Sequence, residues 1–410
     1  MSRILWLGDA GCHTGFAKVT HNVAERLVTQ YGHDVHVLAV NYDGDYYDGP
    51  LKLYRPNKRL PSDVYGQSRF LEMLNIVEPD AVFILNDPHI ILKFLFLNTW
   101  DEEKVLLRHC PIVTYMPVDG YNYPAAWHLL EDTTSAVVMS NHGKKAFPKA
   151  DLVYHGVDTK MFRPLSTGEK VTSTGKIVRT AKDAKRAFGY DPDGFLILRV
   201  DRNDLRKDFA DTWKALVPVM KRHSNIQVHF HCTSRDEGAD LRYLLTREPD
   251  VEARFFFPGG VNTFQGWPIE DISILYNTAD MFVSTSMGEG FGLTLAEAAA
   301  SGTPIVAQDC SSITEVVGPG GVLIPPGRPF SVYNGTDMYL PDVEAFTDAI
   351  EHLYSSRGAR RDLGEKGRDH VVTNFNWDVA TSQFNDIIAK AVTEQLQLEA
   401  VAQPREGVKA

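Results

Sequence analysis

The sequence predicts an α/β protein made of two Rossmann-like halves, each organised on a parallel sheet. Three observations predict it. Apolar strand runs alternate with amphipathic helix runs from the third residue onward, the rhythm of βαβ units. That rhythm pauses in the Ser-, Thr-, Gly- and Lys-rich stretch 165–176 and restarts at Phe195. Polar residues collect just past the strand runs, where open α/β sheets bind ligands.

In the first half, Arg3–Gly8 reads as a buried strand and Asp9–Gly15 as a loop. The helix that follows carries Val19, Val23 and Leu27 on one stripe. Asp34–Val40 is the next strand, and residues 62–76 read as a helix. Strands at 81–85, 111–116 and 135–139 run out into polar turns, among them Pro117-Val118-Asp119-Gly120. In the second half, 195–200, 226–231, 254–257, 281–285, 304–307 and 322–324 read as strands. Helices are expected at 209–222, 271–277, 343–354 and 361–374, and Ser311/Ser312 with Glu315 are expected to cap another. The expected organisation is a domain over 1–158, a second over 159–376, and an amphipathic helix over 377–398 crossing back to the first. The tail 399–410 has no apolar period and is expected to be disordered.

A chain of 410 residues is too long for one compact core, which agrees with two domains. Its hydrophobic share of 43% and charged share of 23% fit a globular protein. The net charge of −11 argues against general nucleic-acid binding, which needs a basic face. No run is apolar enough to span a bilayer, and the N-terminus begins a strand at once. The four cysteines lie far apart, without metal-ligand or disulfide spacing. Reduced thiols and a cytoplasmic location are therefore expected.

The stretch Ser286–Gly302 carries the most chemistry. A strand before it, Gly288, Gly290 and Gly292 within it, and a helix after them make an anion site. Free backbone N–H groups and the positive end of the helix dipole point the same way. Thr294 is placed to cap the helix, with Glu297 three residues on completing a capping box. Glu289 and Glu297 bracket the loop, so amides could hold a phosphate while carboxylates accept from hydroxyls. The plain alternative makes Glu289 a solvated loop residue and Glu297 only a cap. Likewise Arg202 and Lys207, with Arg206 and Asp204 beside them, fit either a phosphate clamp or a solvated basic turn.

Together these residues resemble a GT-B-fold glycosyltransferase of the retaining family 4 type, the glycosyl transferases group 1. Three segments carry the resemblance: Glu289-x7-Glu297 with its glycines, His155-Gly-Val-Asp158 with Phe162-Arg-Pro164, and Arg202-x4-Lys207. The sequence departs from the family pattern in places. Asp201 stands before Arg202 where glycine is common, Asp208 follows Lys207 where glycine is common, and His155 stands where asparagine is usual. Asp119 falls near the strand end where relatives commonly carry a histidine.

The resemblance implies transfer of a sugar from a UDP- or GDP-sugar to an acceptor hydroxyl, with retention at the anomeric carbon. Arg202 and Lys207 would stabilise the departing diphosphate in place of a metal, and no prosthetic group is implied. Glu289 would bind a hydroxyl of the donor sugar and Glu297 the ribose. Phe291, Gly292, Leu293 and Thr294 would contribute backbone groups at the helix start, and Gly15 would let the first-domain loop approach the diphosphate. Asp119 would be the acceptor-side catalytic group. The acceptor is left open among glycan, lipid, protein and modified nucleic acid. Two alternatives remain at this point: a GT-B-fold nucleotide-sugar isomerase, and a non-catalytic sugar-nucleotide or glycan-binding module.

Overall fold

The computed structural model describes residues 1–56, 65–96, 110–166, 168–262 and 265–402. The chain divides into two compact units. The first comprises 1–118, 124–154 and 377–410; the second comprises 119–123 and 155–376. The expected boundary at 158/159 therefore compares with a division at 154/155. Sequence reading did not anticipate the five-residue excursion at 119–123.

The first unit is built on seven strands: β1 (Arg3–Asp9), β2 (Asp34–Val40), β3 (Lys52–Tyr54), β4 (Ala81–Leu85), β5 (Ile112–Met116), β6 (Ser135–Val138) and β7 (Asp151–Leu152). They lie in the order β3-β2-β1-β4-β5-β6-β7, and every pairing is parallel. Because helices cover both faces of such sheets, the central strands read as unbroken apolar runs; Ile4, Leu5, Trp6 and Leu7 are fully buried. The final helix, Trp377–Ala402, belongs to this unit. Its Phe384 is fully buried, with its ring edge-on to Phe83 and Tyr115 at 5.3 and 4.7 Å. That helix continues through Ala402, so the expected disorder from residue 399 is wrong for 399–402; the rest of the tail lies outside the described residues. The helix expected over 62–76 is found at Gln67–Val77, and its expected start lies outside the described residues.

The second unit repeats the plan. After a short antiparallel hairpin, β8 (Glu169–Lys170) with β9 (Ile177–Val178), come β10 (Phe195–Val200), β11 (Ile226–His231), β12 (Phe255–Phe256), β13 (Met281–Ser284), β14 (Ile305–Gln308) and β15 (Gly321–Ile324). These six form one parallel sheet in the order β12-β11-β10-β13-β14-β15. A second hairpin, β16 (Pro329–Ser331) with β17 (Asp337–Tyr339), follows. In both large sheets the strand order reverses beside the first strand, between β1 and β4 and between β10 and β13. Such a switch point leaves a crevice at the carboxyl ends of the two strands. The core beneath the second one packs Phe209, Trp213, Leu216 and Met220 of the helix Phe209–Arg222 against Ile197, Val228 and Phe230 of the sheet.

Candidate active site

The loops that leave β10 and β13 meet at the second switch point. The β10 loop, residues 201–207, ends at Asp208, which caps the helix Phe209–Arg222 by accepting from Asp211 N–H at 3.1 Å. Asp208 has φ +48°, the left-handed region that glycine enters most easily. That requirement explains why glycine suits this place, and aspartate meets it while adding a side-chain cap.

The β13 loop, Thr285–Gly292, is buried throughout. Gly292 takes φ +99° as N-cap of the helix Leu293–Ala300 and offers no side-chain bond to its first amides. The expected capping box is therefore absent: Thr294 lies inside the first turn, and Glu297 accepts from the buried Tyr276 hydroxyl at 3.1 Å. The second expected capping box fails too. Ser312 stands at the N-cap of Ile313–Val317 without a side-chain cap bond. Its hydroxyl instead donates to the carbonyls of Glu289 and Phe291, at 2.8 and 2.9 Å. Hydroxyls from the loop after β14 thus hold the glycine-rich loop in shape.

Six charges alternate in sign across the end of β10, the two loops and the 119–123 segment. Arg199 Nε lies 3.5 Å from Asp201 Oδ2, and Asp201 Oδ1 lies 2.7 Å from Lys207 Nζ. Lys207 Nζ also meets Glu289 Oε1 at 2.5 Å, and Glu289 Oε2 meets Arg206 Nη1 at 3.1 Å. Arg206 Nε then reaches Asp119 Oδ2 at 3.3 Å. Arg199 is fully buried; it donates to Thr285 Oγ1 at 2.8 Å and to Lys207 O, and its guanidinium lies 4.2 Å from the Phe209 ring centre. The carrier of Lys207 is thereby fixed from below. Carboxylates pair with each buried cation, as the interior requires, although Arg199 Nε itself makes no hydrogen bond.

The structure brings Lys207, Glu289 and Asp119 into one network, with Arg206 between the last two. Arg206, which left the solvated-turn reading open in the sequence, pairs with Glu289 and Asp119 and also donates to Gly288 O. Lys207, for which the sequence left a solvated turn open, is only 12% exposed. Arg202 lies apart from them. Its guanidinium is 49% exposed and forks onto Asp236, with Nε to Oδ2 at 2.9 Å and Nη2 to Oδ1 at 3.3 Å; Glu237 adds a contact at 2.8 Å. The Phe291 ring is buried between His155, centroid distance 4.8 Å, and Phe375 at 5.1 Å. Burial pushes His155 down to about 3, so it is a neutral packing group. Leu293 and Thr294 are half-buried. Gly15 lies in the other unit, where it opens the helix Gly15–Tyr31 beside the capping Thr14.

Sequence reasoning missed Asp201, Arg206, Ser311, Ser312 and Tyr121. Asp201 was visible as a departure from the family pattern, but nothing in the sequence shows that it is buried against Lys207. The two serines carried a capping pattern that pointed elsewhere.

Burial alone would raise the Glu289 carboxyl, but Lys207 and Arg206 outweigh it and lower it from 4.5 to about 2. Asp201 goes the other way, since its burial outweighs the help of Lys207 and Arg199. A lowered carboxyl lends stability that is complete above 4.5 and is lost as pH falls through about 2. The melting-temperature advantage of wild type over Glu289→Gln should therefore be constant at neutral pH and shrink across that acid window. Asp201 shares Lys207 with Glu289 and is raised by burial and in part by the Glu289 charge, so the comparison reads the two carboxylates together. A difference that does not shrink between pH 4.5 and about 2 would contradict the ion pairing.

Residues 195–356 match the family described as Glycosyl transferases group 1, and the chain has the GT-B fold. An MMP alpha-(1->4)-mannosyltransferase of Mycolicibacterium hassiacum is 33% identical over 135 residues, 32% of this chain and 29% of the relative. A D-inositol 3-phosphate glycosyltransferase of Corynebacterium kroppenstedtii is 26% identical over 254 residues, 59% of this chain and 48% of the relative. The chain thus spans about half, or less, of these relatives' lengths. Among solved structures, sucrose-phosphate synthase from Thermosynechococcus elongatus matches with TM-score 0.70 at 18% identity, covering 96% of this chain and all of that one. Anabaena HepE in complex with UDP-glucose matches with TM-score 0.66 at 17% identity, over 96% and 100%.

Proposed function

We propose that this protein is a glycosyltransferase. It moves a hexose from a nucleoside-diphosphate sugar to an acceptor hydroxyl, with retention of anomeric configuration and without a metal ion. The observation that carries the reading is the Lys207–Glu289 pair at the β10/β13 switch point, beside the uncapped start of the helix Leu293–Ala300. When the glycosidic bond breaks, charge collects on the β-phosphate, and fixed positive groups stabilise it. Lys207 supplies a point charge and the helix start supplies amides. Arg202 supplies a planar fork once the diphosphate replaces Asp236 and Glu237 as its partner; its exposure leaves it free to turn. Glu289 stays ionised at neutral pH and accepts a donor-sugar hydroxyl. Glu297 accepts from the ribose, and Phe291, Gly292, Leu293 and Thr294 present backbone groups to the donor. Asp119, already paired with Arg206, is assigned to the acceptor side, and Gly15 to the diphosphate approach. The departing phosphate takes the acceptor's proton on the face it leaves. HepE, with UDP and with UDP-glucose in its structures, supports a nucleoside-diphosphate hexose as donor, UDP or GDP, and the mannosyltransferase relative supports a hexose.

The test is a screen of UDP-, GDP- and ADP-hexoses in excess chelator, with released nucleotide quantified and product configuration read by NMR. Turnover of one donor, undiminished by chelator and with the anomeric configuration kept, is expected. Loss that Mg²⁺ or Mn²⁺ reverses would contradict the metal-free clamp. An epimerised donor without acceptor would mark an isomerase, and binding without turnover a recognition module.

A further inference from the structure

The chain leaves the first unit after Val118, spends Asp119–Tyr123 in the second, and returns at Pro124. This strap is seated on one side against the hairpin β16–β17. Tyr121 and Asp337 exchange backbone hydrogen bonds, N–H to carbonyl in each direction at 2.8 Å, as an antiparallel bridge. Asn122 Nδ2 donates to Asp337 Oδ2 at 2.7 Å, and the Tyr121 ring stands edge-on to Tyr339 at 5.0 Å. The close approach is built in. A Cβ on Gly120 would stand 2.8 Å from Asp337 O, and one on Gly288 would stand 1.8 Å from Asp119 O.

On its other side the strap reaches the charged loop through two hydrogen bonds in series. Ser311 N–H donates to the Tyr121 hydroxyl at 2.8 Å. The Ser311 hydroxyl in turn accepts from Glu289 N–H at 2.8 Å. Ser311 holds φ +48°, a left-handed conformation that costs a serine free energy and persists only where partners hold it. The tyrosine hydroxyl is one such partner, and the conformation is what aims the Ser311 hydroxyl at the Glu289 amide.

We propose that Tyr121 is a positioning residue for Glu289, acting through Ser311. The hydroxyl of Tyr121 holds the Ser311 backbone, Ser311 holds the Glu289 amide, and the Glu289 carboxylate is thereby kept within reach of Lys207 and Arg206. The proposal rests on the glycosyltransferase reading for its functional consequence, and on the hydrogen-bond series alone for its structural part. Sites of this kind need their reacting groups held to within about half an ångström by supporting residues. A tyrosine bridged to Asp337 and bonded to Ser311 meets that need here.

The experiment compares wild type, Tyr121→Phe, Ser311→Ala and the double variant by hydrogen–deuterium exchange and by donor turnover. Tyr121→Phe keeps the ring against Tyr339 and both main-chain bonds to Asp337, so the fold is retained, which a melting curve checks. Faster exchange in the peptide 286–292 is expected, with kcat lower by about tenfold, the worth of one buried hydrogen bond. Donor KM should stay within about twofold, because the donor's own contacts are intact. The double variant should be no worse than Ser311→Ala, the mark of two residues acting in series. Unchanged exchange at 286–292, or fully additive losses in the double variant, would overturn the proposal. If wild type turns over no donor, the glycosyltransferase reading fails, and exchange at 286–292 still decides the relay by itself.

Discussion

Lys207→Ala is expected to reduce turnover by about 10²-fold or more, the scale for losing one partner of transition-state charge, and to lower stability as well. The second effect follows from where the ammonium sits. It is shared between Asp201 at 2.7 Å and Glu289 at 2.5 Å, and both carboxylates are nearly out of water. Removing it leaves two buried negative charges facing each other, with only Arg199 and Arg206 to offset them. Breaking a buried pair in this way costs about 3–5 kcal/mol. Arg202→Ala is the matched contrast. Its guanidinium is half in water on Asp236 and Glu237, so a similar loss of turnover should come with an unchanged melting temperature. Single-turnover rates and melting curves on the two variants check both statements. Wild-type turnover in Lys207→Ala would remove it from the mechanism, and an unchanged melting temperature would contradict the buried network.

Glu289→Gln and Glu297→Gln should fail in different columns. Glu289 is assigned to the reacting sugar, so its amide variant should lower kcat by about 10²-fold with little change in donor affinity. Glu297 is buried and accepts from Tyr276. If it also holds ribose hydroxyls, its amide variant should weaken donor binding by about 1.5–3 kcal/mol, the scale for hydrogen bonds to charged groups. A helix-cap role no longer competes, because the cap is Gly292. Donor affinity and kcat measured on both variants separate the assignments. Intact binding in Glu297→Gln would reduce that residue to a partner of Tyr276, and intact kcat in Glu289→Gln would end its catalytic assignment.

The fold was legible because a parallel sheet buried on both faces writes itself as apolar runs; β1, β4, β10, β13 and β14 all read that way. Motif spacing brought Lys207 and Glu289 to notice, and the structure joins them. What could not be read was pairing across loops. Arg206 and Arg202 are both arginines in one seven-residue loop, and only the backbone turn decides that one meets Glu289 and the other Asp236. The serine–glutamate spacing at 312 and 315 resembled a cap because local pattern is all a sequence offers; the hydroxyl went to a carbonyl more than twenty residues away. The strap at Asp119–Tyr123 was invisible for the same reason, since its partners lie around 311 and 337.

The central claim is that the β10/β13 switch point binds the diphosphate of a nucleotide sugar through side chains and amides. Calorimetric titration of UDP, GDP and ADP into wild type and Lys207→Ala, all in excess chelator, tests it most directly. The account predicts saturable binding of one nucleoside diphosphate to wild type and binding at least tenfold weaker in the variant, about one charge-assisted contact. Equal affinity in both proteins, or no binding of any of the three, would contradict it.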